Sequence, residues 1–238
     1  MSDWASWTAR AVRAAVFRTF ADEGRAPSAG ELATLVHVDI GEVKSALEEL
    51  HALHALVLSP EWDAIRMAHP FSSAPMSFVV RGECDSLWWG GCAWDSFGIV
   101  AAVGEELTIE TQCPCCRTDL RYTAGPETAP TGAPDGAVVR VPRPAREWWD
   151  DVVATCTHIR TFCSADHAAS WAERTGNVPG DVVPLERLWA LAQPWYGDRL
   201  DPDWAPHTRE HNQALLEQHG FTGDFWRLPE PTPAQAPA

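Results

Sequence analysis

From His69-Pro70-Phe71 onward, the segments with strand character arrive in neighbouring pairs rather than in a regular alternation of strand and helix. Parallel sheets need a crossover helix between successive strands, whereas paired strands close through turns. That ordering restricts the chain to an α+β fold built on a mixed or antiparallel sheet with helices around it. The pattern predicts strands over 77–81, 107–111, 120–123 and 137–141 and an extended stretch over 158–162. Helices are predicted over 92–103, stopped by Gly104, over 146–153, over 164–174 with Ser164 as cap, and over 184–192. A Gly/Pro-rich loop fills 125–136.

Residues before 70 read differently. Trp4, Trp7, Ala11, Ala15 and Phe20 keep near one face of a first helix. Ser28 and Glu31 have capping-box spacing before Leu32, Leu35 and Val36, and Asp39 and Glu42 repeat it before Val43, Leu47 and Leu50. Val57-Leu58 and Ile65-Arg66-Met67 predict two short strands about the turn Ser59-Pro60-Glu61. Three helices and a hairpin have the outline of a winged helix-turn-helix. The chain is therefore expected to divide into a winged-helix-like module over 1–70, a larger α+β domain over 71–228, and a disordered Pro/Ala-rich tail over 229–238. Beyond Pro184 the larger domain carries an extension with Trp204, Leu215, Leu216, Phe221 and Trp226.

A winged helix raises the question of DNA, and charge answers it. The chain carries a formal charge of −15, and phosphate binding depends on Lys and Arg releasing condensed counterions. The helix placed to read a groove sets Lys44 against Glu42, Glu48 and Glu49. No nucleic-acid partner is expected. Nor is a membrane partner, since no run approaches the roughly 20 apolar residues of a span. Met1-Ser2-Asp3-Trp4 has no basic n-region, and an odd number of cysteines, seven, does not suit a secreted disulfide framework. The expected setting is the cytoplasm, with reduced thiols.

Gly91-Cys92-Ala93-Trp94-Asp95-Ser96-Phe97-Gly98 concentrates the chemistry. Positions i and i+3 share a helix face, so Cys92 and Asp95 would direct a soft nucleophile and a proton carrier at one spot. A helix N-terminus favours negative charge and would lower the Cys92 pKa toward the thiolate. A buried cysteine beside a surface aspartate is the structural alternative.

Trp88-Trp89-Gly90-Gly91-Cys92-Ala93-Trp94-Asp95, then Thr111-Gln112-Cys113-Pro114, then Trp148-Trp149-Asp150-Asp151 leading into Thr155-Cys156-Thr157-His158, resemble the alkylmercury (organomercurial) lyases over about 70–183. The resemblance implies that 71–228 is a catalytic domain whose catalytic positions are Cys92, Asp95 and Cys156. It implies protonolysis of a carbon–mercury bond, giving a hydrocarbon and Hg(II). Thiolate is the softest side-chain ligand and Hg(II) a soft cation, so two converging sulfurs weaken the bond to carbon while Asp95 passes a thiol proton to the departing carbon. Hg(II) then rests on Cys92 and Cys156, with Asp95 as a possible further ligand. No cofactor is implied. External thiols, or a mercuric reductase, would take the ion.

Other residues keep two readings. Cys113-Pro114-Cys115-Cys116 holds half a zinc knuckle, but no second C-x-x-C completes it; the resemblance implies a structural turn cysteine at Cys113, and Cys115 and Cys116, which depart from the family pattern, are accessory thiols or inert. Cys84, Cys163 or a nearby His could complete it only through folding. His158 would tune a thiolate or simply fix a strand. Among thirteen tryptophans, Trp88, Trp89, Trp94, Trp148 and Trp149 flank the catalytic positions, as pocket walls or as core. Glu147, Asp150 and Asp151 read as a solvated helix face. Beside the lyase stand three further readings: a soft-metal carrier, an enzyme recruited to another carbon–heteroatom bond, and a winged-helix metal sensor.

Overall fold

The computed structural model describes residues 4–61 and 64–230, so the expected tail lies, from 231 on, outside the described residues. Three helices come first: α1 (Trp7–Glu23), α2 (Ala29–Val36) and α3 (Ile40–Ala52). Both expected capping boxes form. Ser28 and Glu31 close α2, and Asp39 and Glu42 close α3, each pair satisfying two backbone donors that a helix start leaves open.

The buried face of α1 differs from the expected one. Val12, Val16, Phe17 and Phe20 face the core, whereas Trp7 is 63% exposed and Ala11 and Ala15 are half-buried. The i, i+4, i+5, i+8 stripe of larger side chains sets the helix rotation. Arg13 lies on that buried face, its guanidinium stacked on Phe17 and Trp204 and donating to the carbonyls of Arg199 and Asp201.

Seven strands form one sheet in the order β1-β2-β3-β5-β4-β6-β7: β1 (Val57–Leu58), β2 (Ile65–Ala68), β3 (Phe71–Ser72), β4 (Phe78–Arg81), β5 (Leu87–Gly90), β6 (Leu107–Gln112) and β7 (Asp119–Ala124). The two strands of the N-terminal hairpin thus open the sheet that carries the rest. A second sheet runs β10-β8-β9, with β8 (Val138–Val141), β9 (Arg160–Phe162) and β10 (Asp181–Pro184). Every pairing among the described strands is antiparallel, as paired arrival along the chain requires. The fold is α+β.

Helix α4 (Ala93–Val103) is buried around almost its whole circumference and packs between the large sheet and α7 (Leu185–Tyr196). Gly98 permits that approach, because a β-carbon there would lie 2.6 Å from the Tyr196 ring and 2.7 Å from Pro70. Chain entry into α5 departs from the expected helix over 146–153. Ala145–Glu147 is a single 3-10 turn, and the Asp151 side chain starts α5 (Val152–His158) by accepting from the Ala154 N–H. Helix α6 (Ala165–Thr175) is capped by Ser164 as expected, and α8 (Arg209–Gln218) lies in the extension.

Candidate active site

Cys92 is the N-cap of α4 and Asp95 the third residue of the helix. The Asp95 N–H donates to Cys92 Sγ at 3.4 Å, and the thiol donates to Asp95 Oδ2 at 3.3 Å. Local capping geometry thus fixes the pair before any tertiary contact does. At Gly91 a β-carbon would lie 2.5 Å from Asp95 Oδ2 and 2.3 Å from Met67 Cε, so those side-chain ends would have to move.

Cys156 comes from α5. At the end of that helix the Ile159 carbonyl accepts from the Ala93 N–H at 3.1 Å, which hooks α5 to the first residue of α4. The hook sets the Cys156 thiol beside Asp95, its sulfur within 4.8 Å of a carboxylate oxygen, and close enough to Cys92 for each thiol to shift the other's titration. All three expected residues therefore meet in one place, and all are shut from bulk water: Cys92 is 2%, Asp95 1% and Cys156 6% exposed.

Two neighbours had no part in the sequence reading. Tyr196 donates its hydroxyl to Asp95 Oδ1 at 3.0 Å, and His69 Nδ1 lies 3.3 Å from both carboxylate oxygens. One Asp95 oxygen, Cys156 Sγ and a His69 ring nitrogen all fall within 4.8 Å of one another. His158, by contrast, takes no part. It closes α5, its ring bonded to the Ala154 carbonyl at 2.8 Å.

The expected thiolate does not form at rest. Burial first, then the hydrogen bond with Cys156 and the Asp95 charge, push the Cys92 thiol well above its ordinary value. Cys156 is pulled down by its bond to Cys92, yet burial and Asp95 outweigh that and leave it raised as well. The helix terminus is too weak to reverse this, since a cap contributes about 1 kcal/mol while dry burial shifts a group by several pKa units. Burial and the Asp95 charge also hold the Tyr196 hydroxyl well above its usual range, so it stays a donor.

These groups line a cavity of about 220 Å³. Trp94, Trp148, Trp149 and Trp195 supply apolar walls, and Leu53 and His54 after α3 and Trp204 and Pro206 after α7 complete the lining. His54 stacks on Trp149 with ring centres 4.1 Å apart. His69 Nε2, Trp94 Nε1 and Thr155 Oγ1, all on cavity-lining residues, have no hydrogen-bond partner among the described residues.

The accessory cysteines lie elsewhere. Cys113 and Cys116 sit with Cys163 and His167 at the β6–β7 turn, Cys115 lies beside Arg174, and Cys84 is exposed.

The family model described as alkylmercury lyase, MerB, matches residues 71–197. Among solved structures, the mercury-bound form of MerB2 superposes with a TM-score of 0.61 at 20% identity, covering 79% of this chain and 91% of that one, a likeness of fold. No curated protein matches the chain in sequence.

Proposed function

The chain belongs to the alkylmercury lyase family and is an organomercurial lyase, and from that premise we propose that Cys92, Cys156 and Asp95 carry out its chemistry. The observation behind this is the meeting of two buried thiols beside one carboxylate in a tryptophan-walled cavity. The substrate class is an organomercurial small molecule. Its alkyl or aryl group would sit against Trp94, Trp148 and Trp149, where apolar contact stabilises it and water is excluded.

Cys92 exchanges with the ligand on R–Hg–SR′, forming Cys92 S–Hg–R and releasing R′SH. Asp95 then accepts the Cys156 proton as that sulfur bonds to mercury. The Hg–C electron pair stays with carbon, which gains carbanion character and takes the proton from Asp95, giving RH and Hg(II) held by two sulfurs. Deprotonation on contact with the metal suits thiols whose free pKa values are raised, because coordination replaces the lost solvation. Tyr196 and His69 hold the carboxylate in place while it accepts and returns the proton.

We further read the reaction as needing no cofactor, with external thiols clearing the ion by exchange and a mercuric reductase as its recipient. Seven unpaired thiols and a chemistry that consumes thiol protons suit a cytoplasmic setting. No described helix is long and apolar enough to cross a membrane. We read residues 1–70 as a winged-helix-like module that closes the cavity of a catalytic domain over 71–228 rather than one that reads DNA.

The deciding experiment incubates reduced protein with phenylmercury and excess thiol and follows benzene by gas chromatography. Catalytic release of benzene is expected. Mercury bound without benzene would make the chain a carrier and sink the proposal.

A further inference from the structure

A second set of metal-binding side chains lies away from the cavity. Cys113 and Cys116 stand at the turn between β6 and β7, Cys163 follows β9, and His167 is in the first turn of α6. One ligand atom from each of the four lies within 4.8 Å of all the others. Cys113 Sγ is 3.7 Å from His167 Nδ1, and Cys116 Sγ is 3.7 Å from Cys163 Sγ. Zinc bonded to sulfur at about 2.3 Å and to nitrogen at about 2.0–2.1 Å sets tetrahedral edges of about 3.8 Å between sulfurs and about 3.6 Å between sulfur and nitrogen. Both observed separations fall on such edges. They are far beyond a disulfide of about 2.05 Å, and all four cysteines of this region are free.

We propose that Cys113, Cys116, Cys163 and His167 form a closed Cys3His site for a structural Zn²⁺. The local backbone is shaped for it. The Cys113 carbonyl accepts from the Arg117 N–H at 2.9 Å, the Cys113 N–H donates to the Thr118 carbonyl at 2.9 Å, and Arg117 takes a left-handed φ of 65°, which turns a C-x-x-C pair so both sulfurs face the same way. The Thr118 hydroxyl is 3.2 Å from Cys116 Sγ, placed to donate to a sulfur bound to metal. On the other arm, Ser164 accepts from the His167 N–H at 3.2 Å, so the N-cap of α6 brings the imidazole back toward Cys163. Four protein ligands leave no open position, which marks a structural role rather than a catalytic one.

The metal would join the β6–β7 hairpin of the large sheet to the β9–α6 corner of the small one. That corner begins only a few residues after Cys156, so the zinc tethers the segment that presents the second sulfur of the cavity.

Metal content tests this without reference to turnover. The Cys92→Ser/Cys156→Ser double variant, purified from zinc-supplemented culture under reducing conditions, should retain one zinc per chain by mass spectrometry of the dissolved metal. Adding Cys116→Ser, or His167→Gln if the serine variant is insoluble, should remove it. Titrating metal-free double variant with Co²⁺ should give the visible bands of a tetrahedral thiolate site, saturating at one equivalent. Zinc lost with Cys92 and Cys156, zinc kept after Cys116→Ser or His167→Gln, or a chain that binds neither metal would each overturn the proposal.

Discussion

Asp95→Asn removes the proton carrier while leaving its shape. Asparagine is isosteric, its amide oxygen can still accept from the Tyr196 hydroxyl now at 3.0 Å, and the backbone N–H that meets Cys92 Sγ at 3.4 Å is untouched. What disappears is the base that takes the Cys156 proton, whose sulfur lies within 4.8 Å of the carboxylate, and the acid that returns that proton to carbon. Positioned proton transfer contributes about 10²- to 10⁴-fold, or about 2.7 to 5.4 kcal/mol of barrier. A single-turnover reaction with phenylmercury should therefore show benzene release slowed by that factor, with the arylmercury adduct on the protein accumulating in intact mass spectra. Raising the pH should not restore the rate, because hydroxide can take a thiol proton but cannot deliver one to the departing carbon. Benzene release within about threefold of the unmodified enzyme, well short of that range, would refute Asp95 as proton carrier.

Two further outcomes follow from the same geometry. Gly91→Ala places a β-carbon 2.5 Å from Asp95 Oδ2, so the carboxylate must shift; the expected result is a loss of about 100-fold in kcat with mercury binding retained, and an unchanged kcat would show that the site tolerates the displacement. Because the Cys92 and Cys156 thiols are raised in the folded chain, above about pH 9 the unfolded chain gives up protons that the folded chain keeps. Stability present below that pH is then lost as pH rises, by about 1.4 kcal/mol per pH unit for each thiol until its folded value is reached. Urea midpoints between pH 8 and 10 should thus fall more steeply for the unmodified chain than for Cys92→Ser, and equal slopes would contradict burial of a neutral Cys92.

Local signals in the sequence were faithful and long-range ones were not. The Ser28/Glu31 and Asp39/Glu42 boxes, the Ser164 cap and the Cys92/Asp95 pair each depend on residues three apart, and all four form. Strand β5 escaped notice because Leu87-Trp88-Trp89-Gly90 has no polar alternation, and β10 because it is four residues ending in proline. Cys156 was reached through family resemblance alone. Its position depends on the Ile159 to Ala93 hydrogen bond, which no pattern near Cys156 encodes. Tyr196 and His69 lie 101 and 26 residues from Asp95, and neither has a neighbour that marks it. For the C-x-x-C pair the sequence leaves Cys84, Cys163 and nearby His residues all open, and only folding, which brings the β9–α6 corner to the β6–β7 turn, sets Cys163 and His167 beside it.

Keeping both cavity sulfurs protonated and out of solvent has a consequence for life between encounters with substrate. Peroxides and alkylating agents attack the thiolate, so a nucleophile that ionises only when a soft metal reaches it presents them with almost no target. The enzyme is latent by default, and its cargo is its own trigger.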